Sequence, residues 1–175
     1  RLEFGTAGLR AEMGAGLDRM NCVTVMQATQ GILKYYEELL GEDELRSRGV
    51  AIGYDARRNS ELFASITALV CLRTGVKVYL FDNPKPTPIL AFAAKLNQTA
   101  FAVMITASHN PKDDNGYKLY GPDFCQIIPP HDRGIQSKIV VNLEVSPRSR
   151  AGQVEGRRDS TRRCPVKVLK NPTGC

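Results

Sequence analysis

The chain has 175 residues, 42% of them hydrophobic and 24% charged, with a formal net charge of +6. That is one domain's worth of chain with enough apolar material for a core, in the ordinary balance of a globular protein. No apolar run approaches the ~20 residues that a membrane-crossing helix needs, which excludes that class.

The charge is unevenly placed. Residues 1–128 hold 14 Lys and Arg against 14 Asp and Glu, while 129–175 hold the other 10 basic and 4 acidic residues. The basic excess therefore describes the C-terminal stretch and not the first 128 residues. Five cysteines (Cys22, Cys71, Cys125, Cys164, Cys175) are odd in number and lack Cys-x-x-Cys spacing. Reduced thiols in a cytoplasmic protein are expected, rather than a disulfide framework or a zinc site. The chain opens Arg-Leu-Glu-Phe, with no hydrophobic leader and no initiator Met, so a fragment without a secretory signal is expected.

In chain order, Phe4-Gly-Thr-Ala-Gly-Leu-Arg10 sets two glycines and two small residues before Arg10. Such a loop lets backbone approach a ligand or another loop closely, although a plain turn entering the domain would look the same. From Asn21 to Leu40, Val25, Ile32, Tyr36 and Leu39 recur at helical spacing, with Lys34, Glu37 and Glu38 on a wet face. Residues 42–49 read as a charged loop. Val50–Tyr54 reads as a strand, and Asn59 or Ser60 can cap a helix that runs to Arg73 and stops at Gly75. Val76–Phe81 is a further strand; Pro84, Pro86 and Pro88 stiffen the loop after it, and Ile89–Leu96 is a short helix. Phe101–Ile105 is a continuous apolar run, as expected of a strand covered on both faces. Strands alternating with helices predict an α/β fold: a three-layer α/β/α sandwich with a mixed, mostly parallel sheet.

After Ile105 the character changes to Thr106-Ala-Ser-His-Asn-Pro111. Pro111 lacks an N–H and biases Asn110 away from helix, so Ser108 is delivered on a loop at the end of a buried strand. Asn115-Gly116 supplies a turn, and Tyr117–Tyr120 a short returning strand that carries Lys118. Ser108 and His109 do not make a hydrolase pair, because consecutive residues on extended backbone point apart. Ligands of such folds gather beyond the carboxyl ends of the strands, which brings Arg57 of the loop after Tyr54 towards Ser108. Cations converging on a serine (His109, Lys118, Arg10, Arg57) suit a phosphoserine. The alternatives are a hydrogen-bonding turn with solvated lysines, and Arg57 as a surface partner of Asp55.

Thr106-Ala-Ser-His-Asn-Pro111 followed by Asn115-Gly-Tyr-Lys118 resembles the phosphoserine loop of the α-D-phosphohexomutases. Phe4–Arg10 and Gly53-Tyr-Asp-Ala-Arg57 resemble two further landmarks of that family, in the same order. The fuller wording is most similar to the phosphoglucomutase-2/phosphopentomutase branch, from Leu2 to about Asp132, the first of the family's four domains. The resemblance implies a phosphosugar mutase. Its substrate is a hexose or pentose phosphate, whose phosphate moves between the 1 and 5/6 positions through a sugar bisphosphate. Ser108 would carry the phosphoryl group and its phosphate would ligate Mg²⁺. Lys118 is the implied general base, His109 a second polar contact, and Arg10 and Arg57 the stabilisers of phosphoryl charge. No membrane or nucleic-acid partner is expected, and the oligomeric state is left open.

The family's D-G-D-x-D-R metal signature, its sugar loop and its distal phosphate loop are absent from this sequence. A mutase in complete form is therefore expected, with this chain alone inactive. Residues 1–132 are expected to be an incomplete first domain. Residues 133–175, rich in arginine and without sustained periodicity, are expected to be a disordered or aberrant tail. A noncatalytic truncated product that binds through this tail is the alternative.

Overall fold

The structure, a computed structural model, describes residues 1–5, 8–144 and 166–169. Its elements in chain order are β1 (Leu9–Glu12), α1 (Cys22–Leu40), α2 (Glu42–Arg48), β2 (Val50–Tyr54), α3 (Ser60–Arg73), β3 (Val78–Phe81), α4 (Thr87–Asn97), β4 (Phe101–Ile105), β5 (Asp114–Tyr120), α5 (His131–Val141) and β6 (Val166–Leu169). The strands form one sheet in the order β1-β5-β4-β2-β3-β6. β4, β2, β3 and β6 run parallel to one another, whereas β5 is antiparallel to both β4 and β1. The expected mixed, mostly parallel sheet is what forms.

Every residue of β2 and β4 is buried, because helices cover both faces of the sheet. On one face Ile52, Val103, Ile105 and Leu119 pack with Val25, Ile32 and Tyr36 of α1 and Phe63 of α3. On the other, Ala51, Ala102 and Met104 pack with Leu90 and Ala94 of α4. The sandwich is thus three layers deep. α1 begins at a capping box: Asn21 Oδ1 accepts from the Thr24 N–H (3.1 Å) while Thr24 Oγ1 accepts from the Asn21 N–H (3.0 Å).

Several elements differ from the sequence reading. Residues 42–48, expected as loop, are helical. Acidic residues fill the first turn and Arg46 and Arg48 the last, which matches the helix dipole, and Glu42–Arg46 and Glu44–Arg48 pair one turn apart. The helix is anchored by the single buried side chain of Leu45. Asn115-Gly116 is not a turn but the interior of β5, and the chain turns earlier, where the Asp114 N–H reaches the Pro111 carbonyl (3.1 Å). Gly116 is there because a Cβ would lie 2.6 Å from the Thr106 carbonyl oxygen. α3 has no side-chain cap: Asn59 is left-handed (φ 63°) and Ser60 bonds elsewhere.

The expected break at 132 is not where ordered packing stops. α5 runs through Arg133 to Val141 and lies antiparallel along α1. Ile135 and Ile139, four apart, bury one stripe. Gly31 and Gly134 allow the close approach, since a Cβ on either would lie within 2.6 Å of Ile139 or of the Tyr35 ring. Polar ties complete the seam: Gln27 Nε2 donates to the Leu143 carbonyl (2.7 Å), and Lys138 pairs with Glu38 (2.6 Å). Further on, Val166–Leu169 pairs with β3 as β6, where no structure was expected. The remainder of the expected disordered tail, 145–165 and 170–175, lies outside the described residues. Among the described residues no helix is long and apolar enough to cross a membrane.

Candidate active site

The site is built at the carboxyl end of β4. Thr106 and Ala107 are still buried, and Ser108 and His109 are exposed. Ser108 is left-handed, φ 57°, a conformation that costs a residue with a Cβ about 1–3 kcal/mol and persists only where its surroundings hold it. The hold is visible. The Ser108 N–H donates to Thr106 Oγ1 (3.0 Å), and the Asn110 N–H closes a turn on the Ala107 carbonyl (3.1 Å). Thr106, the other hydroxyl nearby, is buried and engaged in that turn.

Arg57 arrives from the loop after β2, as the fold rule predicts. There it holds the backbone of the serine loop. Its Nη1 donates to the Pro111 (2.7 Å) and Asp114 (3.2 Å) carbonyls, and its Nη2 to those of Ser108 (2.8 Å) and Asn110 (2.7 Å). Its Nε faces Asp55 Oδ2 at 3.4 Å. Nη1 and Nη2 thus each bond two loop carbonyls, while Nε stands in an ion pair with Asp55. Arg57 does pair with Asp55, at a half-buried position and not on the surface, and adds to that a clamp on the serine loop.

Arg10 and Lys118 come together through strand register. Arg10 pairs with Gly116 across β1 and β5, and Lys118 stands two residues further along β5 opposite Met104, so both side chains leave the same face of the sheet. Arg10 Nη1 donates to Asn110 Oδ1 (3.0 Å), which places its charge on the serine loop. Beside Lys118, Gly8 (φ 83°) brings β1 against β5 so closely that a Cβ would overlap the Tyr117 carbonyl. Lys118 is half-buried, and its pKa is lowered, chiefly by that burial and then by the Arg10 charge, with Asp55 acting in the opposite direction. His131, the other histidine, is on α5 and bonds the Tyr35 hydroxyl through Nδ1 (2.6 Å).

By themselves the described residues do not make up a metal site. Among the described residues there is no grouping of three His, Cys, Asp or Glu able to hold an ion, and Asp55 is committed to Arg57 and Ser60. Ser108 would offer one phosphate oxygen, which alone does not complete a Mg²⁺ site, so the ion is not assigned to these residues. A concavity of about 320 Å³ lined by Leu33, Lys34, Glu37, Arg46 and Thr74 lies elsewhere. Thr74 caps the C-terminus of α3, whose first residue, Ser60, is at the serine loop's end of that helix, so the concavity takes no part in this site.

Four residues beyond the expected set shape the site: Asp55 as an acceptor, Ser60, Asn110 and Asn115. Asn115 was read as a turn residue. The signal that could have identified it is a polar amide near the start of an otherwise buried strand, where it must find partners.

Residues 1–144 match the family described as Phosphoglucomutase/phosphomannomutase, alpha/beta/alpha domain I. A Schizosaccharomyces pombe protein named "Probable phosphoribomutase" is 52% identical over 143 residues, 82% of this chain and 24% of that protein. A Mus musculus protein named Phosphopentomutase is 48% identical over 155 residues, 85% of this chain and 25% of its own length. Among solved structures, a Thermus thermophilus protein described as a "putative phosphomannomutase" superposes with a TM-score of 0.69 at 27% identity, covering 79% of this chain and 30% of that one. The chain thus spans about a quarter of the length of these curated relatives.

Proposed function

The chain belongs to the phosphoglucomutase/phosphomannomutase family as its alpha/beta/alpha domain I, and from that premise we propose that it is the phosphoryl-carrying domain of a phosphosugar mutase. The observation that carries the reading is an exposed, left-handed Ser108 at the end of a buried strand, with Arg10 on its loop and a half-buried Lys118 on the neighbouring strand. Phosphoserine 108 gives its phosphoryl group to a hydroxyl of a sugar monophosphate. The bond from phosphorus to the serine oxygen breaks as the bond to the sugar oxygen forms; the sugar's hydroxyl proton passes to Lys118 and from there to the departing serine oxygen, which leaves Ser108 as a free hydroxyl. The sugar bisphosphate then reorients and its other phosphoryl group returns to Ser108.

A lysine at its ordinary pKa is protonated at neutral pH and cannot take that proton. The lowered pKa of Lys118 supports the assignment, because burial and the Arg10 charge both favour its neutral form. Arg10 is proposed to stabilise the charge that builds on the phosphoryl oxygens, with His109, exposed beside Ser108, as a second polar contact. Arg57 is not given that role, since its N–H groups are committed to the loop. No step is routed through Mg²⁺. The names phosphoribomutase and phosphopentomutase favour a pentose phosphate such as ribose 1-phosphate over a hexose phosphate. The free thiols of Cys22, Cys71 and Cys125 support a cytoplasmic setting.

The test is a chimera in which residues 1–144 replace the matching domain of the fission-yeast relative. It should interconvert ribose 1- and 5-phosphates faster than the glucose phosphates, and its Ser108→Ala form should not turn over. A Ser108→Ala chimera with near-parental turnover would remove the assignment.

A further inference from the structure

We infer that a buried polar relay, Asn115–Ser60–Asp55, aims Arg57, and that Arg57 so held is the positioning residue that keeps the Ser108 loop in its reactive shape. The links as far as the Arg57 backbone are hydrogen bonds, and an ion pair carries the relay on to the guanidinium. Asn115, wholly buried in β5, donates from Nδ2 to Ser60 Oγ (3.0 Å) and to the Arg58 carbonyl (3.1 Å), while its Oδ1 accepts from the Gly116 N–H (2.8 Å). Ser60, also wholly buried, donates its hydroxyl to Asp55 Oδ1 (2.7 Å). The same Asp55 oxygen accepts the Arg57 N–H (3.0 Å), and Oδ2 faces Arg57 Nε (3.4 Å). From there the guanidinium reaches four carbonyls of the loop between β4 and β5. One of them belongs to Asp114, the residue before Asn115, so the network closes on itself.

The chemistry explains why these residue types are needed. The loop turns its carbonyls of Ser108, Asn110, Pro111 and Asp114 towards one point, and carbonyls converging without a donor repel one another. Only a planar, five-donor fork can satisfy four of them and a carboxylate at once; an ammonium has three donors and no fixed plane. The fork must also be oriented, and a carboxylate that is itself held by a buried hydroxyl and a backbone N–H provides a rigid base. A left-handed Ser108 needs such external restraint. The inference rests on Ser108 being the reactive residue, but its test does not require sugar phosphate.

The experiment uses the full 175-residue chain, labelled with ¹⁵N, and follows amide hydrogen exchange at Asn110 and Asp114, whose N–H groups close turns within the loop. Val103 in the middle of β4 serves as the internal reference. Arg57→Ala should speed exchange at both loop amides by about tenfold or more while Val103 stays unchanged. Arg57→Lys, which keeps the charge, should be as damaging as Arg57→Ala. Ser60→Ala should shift the Arg57 Nε–H resonance and speed the same two amides. It takes the place of Asn115→Ala, whose loss of a fully buried amide endangers folding itself. Wild-type exchange in Arg57→Lys would show that charge alone suffices and would overturn the inference, as would an unmoved Arg57 signal in Ser60→Ala. Ser108→Ala should leave the pattern intact. Fast loop exchange in a domain that still takes phosphate on Ser108 would sink the relay and spare the mutase reading; a protected loop that never takes phosphate would do the reverse.

Discussion

Lys118 is where the proposed chemistry is most directly a matter of protonation. The folded domain holds its pKa below the ordinary lysine value of 10.5. Between that lowered value and 10.5 the unfolded chain binds more protons than the folded one, so stability gains from this group as pH rises through the window. Below the window both states are protonated and the burial penalty is constant. Lys118→Met is expected to remove this gain from urea midpoints measured across the window, to raise stability at neutral pH, and to abolish turnover in the chimera. Lys118→Arg should abolish turnover too, because a guanidinium keeps its proton at any working pH. Retained turnover in Lys118→Arg would remove the residue from proton transfer. A second residue-scale expectation concerns Thr99. Its Oγ1 is buried without a partner, so Thr99→Val should leave the unfolding free energy unchanged or raise it by up to about 1 kcal/mol. A loss of that size would mean the hydroxyl is bonded after all.

At the scale of elements, the seam between α1 and α5 depends on backbone proximity. A Cβ at Gly31 would lie 2.5 Å from Ile139 Cγ1 and 2.6 Å from the Ile139 backbone. Gly31→Ala is therefore expected to lower stability by about 1–3 kcal/mol despite the better helix propensity of alanine. An unchanged or raised denaturation midpoint would show that α5 is not held at this point. The same seam marks what could be read from the residues and what could not. The apolar runs Val50–Tyr54 and Phe101–Ile105 and the stripe of α1 specify their elements locally, and they are as expected. α2 was missed because one buried leucine gives no periodicity, and its charge order was the signal available. α5 was missed because two isoleucines amid polar residues suffice once two glycines admit them, and glycine contacts leave no trace in a hydrophobic pattern. The site divides in the same way. Ser108 stands on the loop after β4 and Lys118 on the returning strand, where the sequence puts them, and Arg57 reaches the Ser108 loop as the fold rule predicts. Its role as a clamp follows from acceptors scattered along the chain between Asp55 and Asp114, which no local pattern connects.

For the molecule as a whole, α5 contributes to stability. It packs along α1 and buries the side chains of Ile135 and Ile139. Each large side chain buried in this way contributes roughly 1.5–3 kcal/mol against a typical domain stability of about 5–15 kcal/mol. A chain ending after residue 144 is accordingly expected to unfold cooperatively in urea, and one ending after residue 130 to lose its sharp transition. A sharp transition in the shorter chain would show that α5 is dispensable. The chain covers about a quarter of its relatives, and phosphoryl carriage is the part of the reaction this domain is proposed to perform. The most direct measurement is the position of the phosphoryl group. The chimera carrying residues 1–144 is incubated with a sugar bisphosphate, digested, and mapped by mass spectrometry. The account predicts one phosphoryl group, on Ser108, discharged on adding ribose 5-phosphate and absent from Ser108→Ala; a group on Thr106 or any other residue, or none at all in a folded chimera, would contradict it.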